Sequence, residues 1–168
     1  MIIAIDTGKK GGIAWHCNEK VGCFKMPETP RGFIEAINNV RTAWDEDKEN
    51  PTPCYAICYL EEIKGVPPNQ SSKATWTFAE HYGIVKGILM ALGIPIVYVK
   101  PNTWQKAIGA TRPSTPHGAN KATKERIKRE GKRNIKQIVE ARYPSLKITL
   151  ATADALGILM YAEKEEKR

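Results

Sequence analysis

The sequence predicts an α/β domain in which a central mixed sheet of five strands carries helices on both of its faces. Three observations predict it. Short apolar runs rich in β-branched residues recur along the chain, between them lie segments whose apolar residues repeat at three and four, and the elements follow the order three strands, helix, strand, helix, strand, helices. That order is not the simple alternation of a βα repeat. With 168 residues and 18.8 kDa the chain has room for one sizeable core, so residues 1–163 are expected to form a single domain and 164–168 a frayed tail.

The first strand is expected at Ile2 to Asp6, a β-branched run ended by Thr7-Gly8. Gly11-Gly12 opens a second run ending at Cys17, and residues 21–26 supply a third, giving an antiparallel meander. A helix is predicted from Pro30 to about Trp44, with Phe33, Ile34, Ile37, Val40 and Trp44 on one stripe. Residues 45–53 are charged and proline-bearing, hence a surface loop. Residues 54–60 are apolar throughout, the mark of a central strand covered on both sides.

The segment 65–72, rich in Gly, Pro, Asn and Ser, reads as a loop. A long helix follows with Phe78, Tyr82, Val85, Leu89 and Leu92 on one stripe and Gly93 as its stop. Residues 94–99 form another strand, closed by Lys100-Pro101. A short helix is expected from Trp104 to Ile108, a loop from 109 to 118, basic helices after it, and an apolar helix from Leu150 to about Glu163.

Lysine and arginine number 26 against 18 acidic residues, a formal net charge of +8. The excess is localised: residues 100–147 hold 13 Lys or Arg against Glu125, Glu130 and Glu140, and the remainder is slightly acidic. Eight of the cations, Lys121, Lys124, Arg126, Lys128, Arg129, Lys132, Arg133 and Lys136, fall within sixteen residues. Such a run is either a solvated helix face or a phosphate-gripping surface, for which nucleic acid is the expected polyanion. The N-terminal apolar run breaks at Asp6, too early for a signal peptide, and no window approaches a membrane span. Cys17, Cys23, Cys54 and Cys58 lack paired C-x-x-C spacing, which fits reduced thiols in a cytoplasmic protein rather than a zinc site. His16, His81 and His117 show no metal spacing and are expected to be structural.

Three acidic residues stand where apolar residues prevail. Asp6 ends one strand, Glu61 ends another, and Asp154 interrupts the last helix. A buried carboxylate is costly without a partner. Each has a local explanation: Asp6 can cap its own turn, Glu61 can pair with Lys64, and Asp154 can sit in the first turn of its helix near Thr149 or Thr152. Jointly they allow another reading, since adjacent strand ends bring two carboxylates together and a helix across that end adds a third. Clustered carboxylates suit a hard divalent cation, and two Mg2+ ions can activate water against a phosphodiester.

Five segments in order, Ile3-Ala4-Ile5-Asp6-Thr7-Gly8 with Gly11-Gly12-Ile13-Ala14, Tyr59-Leu60-Glu61-Glu62-Ile63, Tyr82-Gly83-Ile84-Val85-Lys86-Gly87, residues 99–106 with the sequence VKPNTWQK, and Ala153-Asp154-Ala155-Leu156, resemble the RuvC-type Holliday junction resolvases, phage-type members above all. The resemblance runs over about residues 2–162. It implies an RNase H-like fold, a homodimer, and Mg2+-dependent paired nicks, with Mn2+ as an alternative ion and two ions per active site, across a four-way DNA junction in a bacterial or phage-infected cell. The ends left are 5′-phosphate and 3′-hydroxyl. By the same resemblance Asp6, Glu61 and Asp154 are the metal ligands, and Lys106 and Lys124 act beside them in catalysis. Lys73, Lys106, Lys121, Lys124, Lys128, Arg129, Lys132 and Arg133 grip DNA. The loop from Gly65 to Lys73 is placed to enter the junction centre, and Trp76 and Phe78 can either stack on unpaired bases or pack in the core, the plainer expectation.

The family also carries an acidic residue shortly before its last aspartate, where this chain has Leu150 and Ala151. That departure leaves open a junction- or nucleic-acid-binding protein with weak or no catalysis. An ATP-using member of the actin and sugar-kinase group, suggested by the Asp-x-Gly turn alone, would need two related domains for which 168 residues leave no room.

Overall fold

Alternation along the first strand sorts the molecule into two cores. In the computed structural model, which describes all residues except 9, 43–54, 64, 66–70, 111–114 and 168, β1 (Ile2–Asp6) buries Ile3 and Ile5 on one face and Ala4 on the other. It pairs antiparallel with β2 (Gly12–Cys17), which pairs antiparallel with β3 (Lys20–Lys25). On its other side β1 pairs parallel with β4 (Ile57–Glu61), and β4 parallel with β5 (Ile96–Val99). The strand order is β3-β2-β1-β4-β5. The two central strands are apolar on both faces because helices cover both.

One face, with Ile3, Ile5, Ile13, Cys58 and Leu60, packs against α1 (Pro30–Thr42) through Phe33 and Ile37 and against α2 (Ser72–Ala91) through Val85 and Leu89. Each such aliphatic side chain, fully buried, contributes roughly 1.5–3 kcal/mol. The opposite face, with Ala4, Ala14 and Tyr59, carries α3 (Pro101–Ala107), α4 (Lys121–Arg142) and α5 (Ala153–Glu165). Helix α5 lies across β1, β2 and β4, flanked by α3 and α4. No helix of the described residues is long and apolar enough to cross a membrane.

Several boundaries differ from the sequence expectation for physical reasons. The end of the α1 stripe at Trp44, the loop 45–53 and the start of the fourth strand at Cys54 lie outside the described residues. Tyr55 is 86% exposed, and pairing of β4 begins at Ile57, opposite Ile2. Helix α3 starts at Pro101, not Trp104, because a proline in the first turn lacks only an amide that has no intrahelical partner. The expected basic helices are one helix, α4, capped by the Asn120 side chain, which accepts from the Thr123 amide at 2.9 Å. Its buried stripe, Gly131, Ile135 and Val139, carries the packing on α5, while residues 121–130 have no fully buried side chain.

The start of the tail expected to fray, from 164, is helical, and residue 168 lies outside the described residues. Helix α5 continues through Glu165, Lys164 Nζ donates to the Ala107 carbonyl at 2.6 Å, and Tyr59 donates to Glu166 at 2.6 Å. Buried Glu163 meets His16 Nδ1 at 2.8 Å and Arg142 at 3.3 Å, so His16 serves the fold. Cys17 and Cys58 are buried, Cys23 is half-buried, and all three are free thiols.

Candidate active site

The register of the parallel pair decides where the acidic residues fall. Ile5 stands opposite Leu60, so the next residues, Asp6 and Glu61, end neighbouring strands. By the alternation of β1 and β4 both share the face of Ala4 and Tyr59, under α5. The first turn of α5 brings Asp154 to the same end of the sheet.

Two glycines keep the backbone close here, Gly11 in the turn from β1 to β2 and Gly12 under the segment before α5. A Cβ on Gly11 would collide with the Asp6 carbonyl, and one on Gly12 would stand 2.7 Å from the Ala151 carbonyl and 3.1 Å from the Thr152 Cα. The bare backbone of β2 thus lets the segment before α5 settle beside Asp6. Thr152 Oγ1 accepts from the Thr149 amide at 3.0 Å and closes that segment.

Asp6 and Asp154 are brought together. The Asp6 carboxyl is pushed up from its ordinary 3.8 to about 6, first by burial and next by the Asp154 charge. The Gly8 amide, which donates to Asp6 Oδ1 at 3.2 Å, and the Lys132 ammonium pull the other way. Lys132 Nζ lies 3.8 Å from Asp154 Oδ2. The local roles expected for Asp6 and Asp154 hold: Asp6 caps its turn, and Asp154 occupies a first helical turn.

Glu61 stands apart from this pair in one respect. Its Oε1 accepts the indole N–H of fully buried Trp104 at 3.0 Å. Among the described residues no three His, Cys, Asp or Glu side chains form a ready metal cage. The third carboxylate is thus tied to a donor on α3. The alternative partner, Lys64, lies outside the described residues.

The cations sort by depth. Lys132, expected among the DNA-gripping residues, reaches the carboxylate pair, and Lys128 and Arg129 stand one turn before it beside Glu125 around a shallow groove. Lys106, Lys121, Lys124, Arg133 and Lys73 are exposed. Lys124 is two turns from Lys132, about 12 Å along the helix, so the structure does not place it at the pair. Trp76 is 74% exposed rather than packed in the core, whereas Phe78 is half-buried. Most of the loop after Gly65 lies outside the described residues. Sequence reasoning gave Trp104 no role at the site; its signal was a tryptophan in a short helix directly after the strand beside Glu61.

Neither known protein-family models nor curated proteins match this chain. Among solved structures it is similar to Thermus thermophilus RuvC, at 15% identity and a TM-score of 0.49 over 98% of this chain and 96% of that one. It is also similar to T. thermophilus RuvC in complex with Holliday junction substrate, at 14% identity and a TM-score of 0.50 over 97% of this chain and 95% of that one. The second likeness spans nearly all of both chains and shows the fold: RuvC-like, a five-stranded mixed α/β sheet with helices on both faces. The five sequence segments pointed to that fold.

Proposed function

We propose that this chain is a divalent-cation-dependent endonuclease that resolves four-way or otherwise branched DNA, acting as a homodimer and leaving 5′-phosphate and 3′-hydroxyl ends. One observation carries the reading: the desolvated Asp6–Asp154 pair faces Lys132 at the root of the basic helix. Two half-buried carboxylates side by side, with oxygen donors, suit a hard cation. Asp6, Asp154 and, on the same sheet face, Glu61 would hold Mg2+ or Mn2+, two ions per site. Bound there, the ions supply an activated water and offset charge on the leaving oxygen.

The protein's own groups do the rest. Lys132 offsets charge developing on the scissile phosphate. Lys128, Arg129, Lys124 and Lys121 continue outward along α4 and hold flanking phosphates, with Arg133, Lys106 and Lys73 around them. Lys124 thus grips DNA away from the reacting centre. Exposed Trp76, on α2 after the Glu61 loop, offers a face for an unpaired base. The fold neighbour solved in complex with a Holliday junction supports the choice of substrate. For the dimer, Gly83 and Gly87 are exposed one turn apart on α2 with no atom within 4 Å of a built Cβ, near exposed Met90, a face on which a second copy fits.

A second reading, junction binding with weak or no catalysis, is favoured by Ala151, which offers no carboxylate in the segment docked beside Asp6. One experiment separates the two. Labelled four-way junction and linear duplex are incubated with protein in Mg2+, Mn2+ or EDTA. Nicking of the junction alone, with either ion and with ligatable 5′-phosphates, supports the nuclease. Binding without nicking in either ion supports the second reading.

A further inference from the structure

We infer that Trp104 is a positioning residue that ties the Glu61 carboxylate to the helix bearing Asp154. The inference rests on the reading of this site as a cation-dependent nuclease and deepens it.

A buried indole N–H needs an acceptor. In this fold the acceptor is a carboxylate at a strand end, Glu61 Oε1, 3.0 Å away, and a charge-assisted bond of that kind is stronger than one between neutral groups. The ring itself cannot shift easily. Trp104 is 0% exposed, and Pro101 fixes the start of its helix directly after β5. Its six-membered ring lies against Gly157, where a Cβ would stand 2.5 Å from Cζ3 and 3.2 Å from Ile108 Cδ1.

Gly157 is one helical turn beyond Asp154 on α5, so the two residues share a face of that helix. Asp154 reaches Asp6 from this face, and Gly157 seats the indole that holds Glu61. One rigid ring therefore sets the third carboxylate relative to the other two. Glutamate has three side-chain torsions to fix, and a donor locked by packing removes much of that freedom before an ion arrives. A tryptophan serving the core alone would need room but no carboxylate.

The test uses Trp104→Phe, which keeps an aromatic ring and removes the N–H. Mg2+ and Mn2+ affinity is measured calorimetrically on the full chain without DNA, beside kcat on a four-way junction and junction binding in EDTA. Ion affinity and kcat should fall about 10- to 100-fold, the usual effect of losing a group that orients a ligand, while junction binding in EDTA stays near wild type. In a nitrogen-proton spectrum the Trp104 indole signal should move in Glu61→Gln and again when Mg2+ is added to the wild type. That arm needs no altered Trp104 if the other three indoles are assigned first, so a poorly folding Trp104→Phe does not block the test. Wild-type ion affinity and kcat in Trp104→Phe, or an indole signal indifferent to Glu61→Gln, overturns the positioning role alone. A wild-type chain that binds neither ion and nicks no junction overturns the nuclease reading and the inference with it.

Discussion

Replacing Asp6 with Asn should make the ion-free protein more stable at neutral pH while removing its activity. In the folded chain the Asp6 carboxyl titrates at about 6 against an ordinary 3.8. The folded state therefore binds more protons than the unfolded state between those values. Stability is highest below the lower one and falls as pH rises through the upper one. At ~1.4 kcal/mol per pH unit, a gap of about two units sets an upper limit of roughly 3 kcal/mol. Relaxation around the charge reduces this to on the order of 1–3 kcal/mol at pH 8. Asparagine keeps an oxygen to accept the Gly8 amide, so the turn is preserved. For a domain of this size each kcal/mol moves Tm by about 2–4 °C. Thermal unfolding in EDTA from pH 4 to pH 8 should show Asp6→Asn several degrees above wild type at pH 8 and level with it near pH 4. A variant no more stable than wild type at pH 8, or a gap that ignores pH, refutes the reasoning.

Millimolar Mg2+ or Mn2+ should raise the Tm of the wild type and not that of Asp6→Asn, since only a state that binds the ion is stabilised by it; equal shifts in both would place the ion elsewhere. Lys132→Ala should lower junction nicking by roughly 10²-fold, measured in single-turnover assays, and Lys124→Ala by far less; the reverse order would return the catalytic role to Lys124. Lys128→Ala should weaken junction binding and reduce the slope of log K against log salt by about one, as read from titrations at several salt concentrations. Gly12→Ala should cost about 1–3 kcal/mol by overpacking against the Ala151 carbonyl, visible as a lower denaturation midpoint.

The strands and the two halves of the site were legible because charge in an apolar element is conspicuous. Asp6 closes a β-branched run, and Asp154 sits within a helix whose neighbours are buried. The position of Lys132 was not legible among eight closely spaced cations. Which of them reaches inward depends on the rotation of α4, fixed only when Gly131, Ile135 and Val139 pack against α5. The hydrogen bond from Trp104 was hidden for the same reason, since the strand order that sets α3 behind β4 is long-range. That β4 pairs only from Ile57 was not legible, because an apolar run does not show where its partner strand ends. Fraying was expected from Lys164 on, whereas a carbonyl on α3 supplies its ammonium with an acceptor.

The central claim is that the Asp6–Asp154 pair holds a catalytic cation. Crystals soaked in Mn2+ and measured at the manganese absorption edge address it most directly. The account predicts an anomalous peak within coordinating distance of both carboxylates and its loss in Asp6→Asn. Ordered Asp6 and Asp154 side chains with no peak between them at millimolar Mn2+, or a peak unchanged in Asp6→Asn, would contradict it.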